Sequence, residues 1–374
     1  MTPPMSARTR PGASRHVGPG PVERPDDLSA AWATAALRHS GLDVEVAEVA
    51  FSPIGTGQMA DSFRLELSYA ATGPGVAPPD SVVVKMQAAD PLSREAGAGG
   101  AYETEVRFYT DLAPTLSMRT PECYHAVGPD DDYRFALVLE DLAPAEQGDQ
   151  LRGCHIDQAQ SAVVDLAGLH GPRWCDPALL DLAWMRRVTE PLAEVVQAIV
   201  IDRTARFIEH YGPRVSEADA SVLRTFAAQS GRWLRERNER FAPIHGDYRL
   251  DNLLFATPAV GSPVAIVDWQ TAEIGLPGRD LGYFLGNSLL PEDRRKHEQA
   301  LVRSYHEALL DHDVAGYSLD ECFDDYRYGQ FQGPLITVLA AVGLTHTERG
   351  DDMFMAMSSR ACQAIRDLES LELL

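Results

Sequence analysis

The stretch Ile244-His245-Gly246-Asp247-Tyr248-Arg249-Leu250-Asp251-Asn252-Leu253-Leu254-Phe255, followed sixteen residues beyond Asn252 by Val267-Asp268-Trp269-Gln270, decides how this chain is read. Asp247 and Asn252 stand five residues apart in a polar turn. An apolar run over 253–255 leaves that turn, and a second over 265–267 ends on Asp268. Two short strands folding back on each other return the second carboxylate beside the first turn. Phosphoryl transfer from a nucleotide asks for such a set: a carboxylate to orient a hydroxyl and accept its proton, and hard oxygen ligands to hold magnesium against the phosphates. His, Gly, Asp and Asn are also ordinary turn residues, so His245-Gly246-Asp247 alone would describe only a polar turn. The spacing of Asp247, Asn252 and Asp268 across two strands is what points to chemistry.

Working outward, residues 46–54, 62–68, 81–86 and 135–139 are short β-branched runs that predict an antiparallel sheet. A helix over 101–112 interrupts them, with Val106, Phe108, Tyr109 and Leu112 at near-helical spacing. Another, over 28–39, precedes them, with Asp26 or Asp27 as its cap and Gly41 as its stop. Beyond Pro144 the periodicity is helical over 157–170, 180–188, 192–211, 217–240, 292–310, 319–343 and 353–371, and the hairpin around the turn-rich stretch 256–263 sits among these helices. The expected fold class is α+β, with a small antiparallel-sheet lobe over 26–142 and a larger, mainly helical lobe over 143–374. Residues 1–25 carry six prolines and three glycines without an apolar period. They are expected to be a disordered tail rather than a targeting peptide.

Composition excludes several functions. The 374 residues hold 55 acidic against 33 basic side chains, a formal charge of −22, so the surface repels phosphate backbones and anionic headgroups. Neither nucleic acid nor a membrane is expected as a partner. The five cysteines match neither a disulfide framework nor a zinc pattern, which suits a cytoplasmic setting. The longest apolar run, 334–344, is about half the roughly 20 residues that a bilayer helix needs. Only two lysines, Lys85 and Lys296, stand beside 31 arginines. A codon bias explains the imbalance, and a position that keeps lysine under it draws notice. Lys85 closes the apolar strand Ser81-Val82-Val83-Val84-Lys85-Met86, where a charge on an edge strand is the plain alternative.

The segments from His245 to Phe255 and from Asp268 to Leu281 resemble the catalytic and metal-binding loops of the aminoglycoside phosphotransferase and choline-kinase-like group. Their wording is most similar to the ecdysteroid-kinase-like small-molecule kinases, and the resemblance covers about residues 45–345. It implies a two-lobed protein-kinase-like fold using ATP and Mg2+. Asp247 would be the catalytic base, Asn252 and Asp268 the magnesium ligands, and Asp280 a buried brace of the catalytic loop. Lys85 would orient the α- and β-phosphates, paired with Glu105 or, failing that, Glu103; either glutamate could instead serve the helix dipole. The loop holding Gly55 and Gly57 would lie over the phosphates, although two glycines between strands also make a plain hairpin. Glu140 and Leu142, at the end of Leu137-Val138-Leu139-Glu140-Asp141-Leu142, would receive the adenine on backbone groups. His170 would be structural, and Arg249 either a cation near the transferred phosphate or a solvated side chain.

The partner implied is a small molecule bearing a hydroxyl: a sugar, an amino alcohol or a sterol-like metabolite. An antibiotic-inactivating kinase and a nucleotide-binding pseudokinase are the alternatives. Asp320, Glu321, Asp324, Asp325, Tyr326 and Tyr328 form an acidic and aromatic cluster that would suit a cationic acceptor, with a solvated helix face as the competing reading.

Overall fold

Ser29, not the aspartates before it, caps the first helix, α1 (Ala30–His39): its hydroxyl accepts the Trp32 N–H at 3.2 Å. Asp26 and Asp27 instead lie in a 3-10 turn over Pro25–Asp27. The computed structural model describes residues 18–55, 59–256, 263–343 and 347–374. They divide into two units, one reaching Tyr102 and including Glu122–Asp141, the other Glu103–Pro121 with Leu142–Leu374.

The first unit is a five-stranded antiparallel sheet in the order β1-β2-β3-β5-β4. Its strands are β1 (Val44–Ile54), β2 (Ala60–Thr72), β3 (Ser81–Gln87), β4 (Cys123–Val127) and β5 (Ala136–Glu140). The α1 residues Trp32, Ala36 and Leu37 pack on Val44, Leu65, Val84 and Val138 of the sheet. Strand β4 is not foreseen because its five residues are nearly all half-buried and show no alternation. The unit also holds α2 (Pro91–Ala98), which the sequence reading leaves out and whose Asp90 cap accepts the Ser93 N–H at 2.8 Å.

Residues 18–25, assigned by composition to the tail, run along this unit. Trp32 Nε1 donates to the Gly20 carbonyl at 3.0 Å, and Gln87 Nε2 to those of Val22 (2.8 Å) and Glu23 (3.1 Å). Side chains of α1 and β3 supply the hydrogen bonds that this proline-rich segment cannot make to itself. Residues 1–17 lie outside the described residues.

The second unit is mainly helical. It contains α4 (Ile156–His170), α5 (Glu190–Tyr211), α6 (Glu217–Arg235), α7 (Gly278–Ser288), α8 (Pro291–Leu310), α9 (Leu319–Gly329), α10 (Gln332–Gly343) and α11 (Glu348–Asp367). A core of Val200, Phe207, Phe226, Trp233, Tyr283, Val338 and Met357 joins α5, α6, α7, α10 and α11. Two three-stranded sheets lie among the helices. β10 (Val264–Ile266), β9 (Leu253–Phe255) and β6 (Glu146–Gln147) form one; β7 (Arg186–Arg187), β11 (Glu273–Gly275) and β8 (Ala242–Ile244) form the other. Three expectations are corrected. Residues 180–188 hold a 3-10 turn and β7 instead of a helix, and 319–343 is two helices that meet at Gln330 and Phe331. Nor does the chain divide at residue 142 alone. The segment from Glu103, in α3 (Ala101–Arg107), to Pro121 goes with the second unit, where Phe108 stacks on Trp269 at 3.7 Å and 8°.

Helix α7 is absent from the sequence reading, because Gly278, Gly282 and Gly286 give it poor helix propensity. The same glycines let it touch α9 backbone to backbone. A Cβ on Gly282 would come within 2.5 Å of the Gly329 carbonyl carbon, and one on Gly329 within 1.8 Å of the Gly278 oxygen. Gly329→Ala is therefore expected to lower stability by about 3 kcal/mol, the upper end for overpacking, since backbone on both sides cannot move aside. A urea midpoint equal to that of the wild type would show that α7 and α9 separate freely. Among the described residues, no helix is long and apolar enough to cross a membrane.

Candidate active site

After the short strand β8 the chain turns at Gly246, whose φ of +79° only glycine adopts readily and where a Cβ would stand 2.7 Å from the Thr271 carbonyl oxygen. The turn is held from α7. Asp280, fully buried, accepts the His245 N–H on Oδ2 at 2.6 Å and the Gly246 N–H on Oδ1 at 2.9 Å. His170, at the end of α4, lies 3.4 Å from Oδ2 through Nε2 and 2.7 Å from the Tyr305 hydroxyl through Nδ1. Burial disfavours the charged form of Asp280, yet the hydrogen bond and charge of His170 and the donors of the turn hold its carboxyl below the usual range.

His245 ties this turn to the next. Its Nδ1 accepts the Asp247 N–H at 3.2 Å and its Nε2 donates to the Val267 carbonyl at 3.0 Å, which assigns the Nε2–H tautomer. Val267 in turn donates its N–H to the Asn252 carbonyl at 3.0 Å. Asp268, the next residue, adopts φ +68° and ψ +69°, a left-handed conformation uncommon outside glycine. Backbone strain of this kind gathers at functional sites.

Asp247 sits in a ring of donors. Asn252 Nδ2 reaches its carbonyl at 2.8 Å and its Oδ2 at 3.0 Å, Arg249 Nε reaches Oδ2 at 3.0 Å, and the Tyr283 hydroxyl donates to Oδ1 at 2.8 Å. Arg249 also binds Asp251 at 2.7 Å. Burial alone would lower the Arg249 pKa; Asp247 and Asp251 outweigh it and raise the pKa, so this cation never titrates. The Asn252 amide nitrogen is committed to Asp247, which leaves its Oδ1 as a ligand oxygen. That oxygen and the Asp268 carboxylate are both hard oxygen donors, the ligand chemistry of magnesium, an ion normally held by one or two protein oxygens together with phosphates. Among the described residues, no group of three or more His, Cys, Asp or Glu is placed to hold a metal by itself.

Gln150 pins the loop from the other side, its Oε1 accepting the Leu250 N–H at 3.0 Å and its N–H reaching Asp251 Oδ1 at 3.0 Å. Tyr283 and Gln150 are not among the residues singled out from the sequence. Tyr283 lies in an apolar run that reads as core, and its one available signal is its place three residues after Asp280, on the same helix face.

Lys85 stands on β3, the central strand of the first unit, paired with Ser62 and Leu137 and only 9% exposed, which removes the edge-strand reading. Gly55 follows β1 with φ +74°; Gly57 lies outside the described residues. Glu105, in the second unit, is buried and its Oε1 accepts the Trp269 N–H at 3.3 Å, whereas Glu103 is exposed. Glu140 donates its N–H to the Glu122 carbonyl at 2.8 Å, and the Leu142 carbonyl accepts from Ala145 at 2.9 Å.

The acidic cluster on α9 mostly serves the interior. Asp325 is buried between Arg237 and Arg240, each at 2.7 Å, and Asp324 binds Arg237 at 2.8 Å. Glu321 closes the capping box with Ser318. Tyr326 and Tyr328 are buried, and the cation over the Tyr328 ring is the chain's own Arg237, 4.2 Å from its centroid.

With this geometry in view, the chain can be set beside known proteins. Residues 183–314 match the ecdysteroid kinase-like family. That span contains Asp247, Asn252, Asp268, Asp280 and Tyr283. The chain is similar to choline kinase from Cryptosporidium parvum (10% identity, 87% of this chain and 91% of that one, TM-score 0.57). It is also similar to a candidate aminoglycoside phosphotransferase from Ralstonia eutropha (18% identity, 88% and 95%, TM-score 0.52). A third likeness is to the GDP complex of wild-type aminoglycoside 2'-phosphotransferase-IIIa (12% identity, 85% and 94%, TM-score 0.53). At these identities the likeness establishes the fold, the α+β kinase-like architecture. No curated protein matches the sequence.

Proposed function

We propose that this chain transfers the γ-phosphate of a nucleoside triphosphate to a hydroxyl group of a small molecule, with Asp247 as the base. The observation that carries the reading is the ring of donors on Asp247, on a turn clamped by the buried Asp280. A carboxylate fixed by three donors is oriented in advance for a proton in flight. In the reaction the acceptor oxygen bonds to the γ-phosphorus, the bond from that phosphorus to the β–γ bridging oxygen breaks, and its electron pair leaves with the diphosphate. The acceptor's proton passes to Asp247.

Lys85, buried on the central strand, would hold the α- and β-phosphates, and the buried Glu105 rather than the exposed Glu103 is its candidate partner. Asn252 and Asp268 would hold magnesium, which supplies charge neutralisation at the phosphates when bound. The Glu140 carbonyl and the Leu142 N–H are the backbone groups for the base edge. The family match, the kinase-like fold, and a structural neighbour that is a GDP complex support nucleotide use, with GTP as open a donor as ATP.

The test is label transfer from γ-labelled ATP or GTP, with magnesium, to a pool of sugars, amino alcohols, sterols and antibiotics. A labelled product that disappears on chelation of magnesium is the expected result. Magnesium-dependent nucleotide binding with no product from any fraction would turn the reading towards a pseudokinase.

A further inference from the structure

The two oxygens of Asp247 are not equivalent. Oδ2 accepts from both Asn252 Nδ2 and Arg249 Nε, each at 3.0 Å, which occupies both of its lone pairs. Among the described residues, Oδ1 accepts from one group, the Tyr283 hydroxyl at 2.8 Å. Three donors for four lone pairs leave one lone pair, on Oδ1, and the side chain keeps 17% of its surface open to solvent. Resting on the reading of Asp247 as the base, we infer that Tyr283 is a positioning residue that fixes the rotation of this carboxylate and makes Oδ1 the oxygen that takes the acceptor's proton.

The placement of Tyr283 suits the task. It projects from α7 three residues after Asp280, so one helix holds the backbone of the turn through Asp280 and the side chain of Asp247 through Tyr283. Its ring is fully buried in the core of the second unit and cannot swing away. Burial, and then the negative charge of Asp247, push its pKa well above the ordinary value, so the phenol keeps its proton and donates. Without that donor, Oδ1 would hold two free lone pairs and the carboxylate would turn about the axis set by Oδ2.

The test compares wild type, Tyr283→Phe and Asp247→Asn, as full chains, in the transfer assay with γ-labelled ATP, magnesium and the pooled hydroxyl compounds. Tyr283→Phe is expected to reduce kcat about tenfold while leaving ATP affinity and the acceptor KM within about twofold, a split that a general loosening of the fold would not give. Incorporating 3-fluorotyrosine at position 283 keeps the ring and strengthens the donor, so kcat should depart from the wild-type value at unchanged ATP affinity; this variant decides the matter if the phenylalanine variant does not fold. Wild-type kcat in both variants, with Asp247→Asn inactive, would overturn the role of Tyr283 alone. Full activity of Asp247→Asn would overturn the assignment of the base, and this inference with it.

Discussion

Asp247→Asn should reduce transfer by about 10³-fold, within the range that a positioned general base supplies, while ATP or GTP affinity stays within about threefold. The substitution changes charge without changing shape, and the surrounding donors can accommodate an amide. Its oxygen can take the place of Oδ2, accepting from Asn252 and Arg249 at the positions now 3.0 Å away. Its NH2 then meets the Tyr283 hydroxyl, which can turn from donor to acceptor. Arg249 keeps its second carboxylate, Asp251, at 2.7 Å, so no cation is left alone in the interior. Only the basic lone pair is gone. Equilibrium binding of a fluorescent nucleotide, run beside turnover on the same preparation, separates the two quantities. Turnover within tenfold of wild type would remove Asp247 from the chemistry. A parallel loss of nucleotide affinity would instead mean that the amide had disordered the loop.

How much of this was legible beforehand differs from residue to residue. Asp247, Asn252 and Asp268 announce themselves because their spacing spans a turn and two short strands, all local in sequence. Lys85 is legible by type, but only pairing with Ser62 and Leu137 shows that its strand is central. Helix α7 is hidden because three glycines at four-residue spacing read as a loop, although in the fold that stripe is what lets α7 and α9 meet. Tyr283 is hidden with it, inside an apolar run. The α9 acids mislead for a related reason. Their partners Arg237 and Arg240 lie more than eighty residues earlier, so the sequence shows a block of negative charge where the structure has a neutralised interior. Local spacing can be read along the chain; partnership between distant segments cannot.

Asp280→Asn should cost about 3 kcal/mol of stability at neutral pH, the low end for removing one member of a buried charged network. The carboxylate faces two backbone N–H groups, at 2.6 and 2.9 Å on separate oxygens, and His170 Nε2 beyond them. An asparagine can offer an oxygen to only one of those backbone donors. Its NH2 must point at the other, and a buried N–H then faces another donor. The pH dependence gives a second, independent sign. Burial raises the Asp280 pKa, but the hydrogen bond and charge of His170 and the backbone N–H of His245 lower it further, so the folded value lies below the unfolded one. A carboxyl depressed in this way contributes fully above its unfolded pKa of about 4 and loses the contribution as pH falls through the folded value. The unfolded chain binds the extra proton in that window, so wild-type stability should drop there more steeply than that of the variant. Urea unfolding at pH 7 and at several points below pH 4.5 measures both quantities, and the two curves should converge in acid. Parallel curves separated by less than about 0.5 kcal/mol would mean that the turn at His245 and Gly246 holds its shape without Asp280. The clamp assigned to α7 would then have to be sought in the Gln332 side chain, which donates to the Gly246 carbonyl at 2.7 Å.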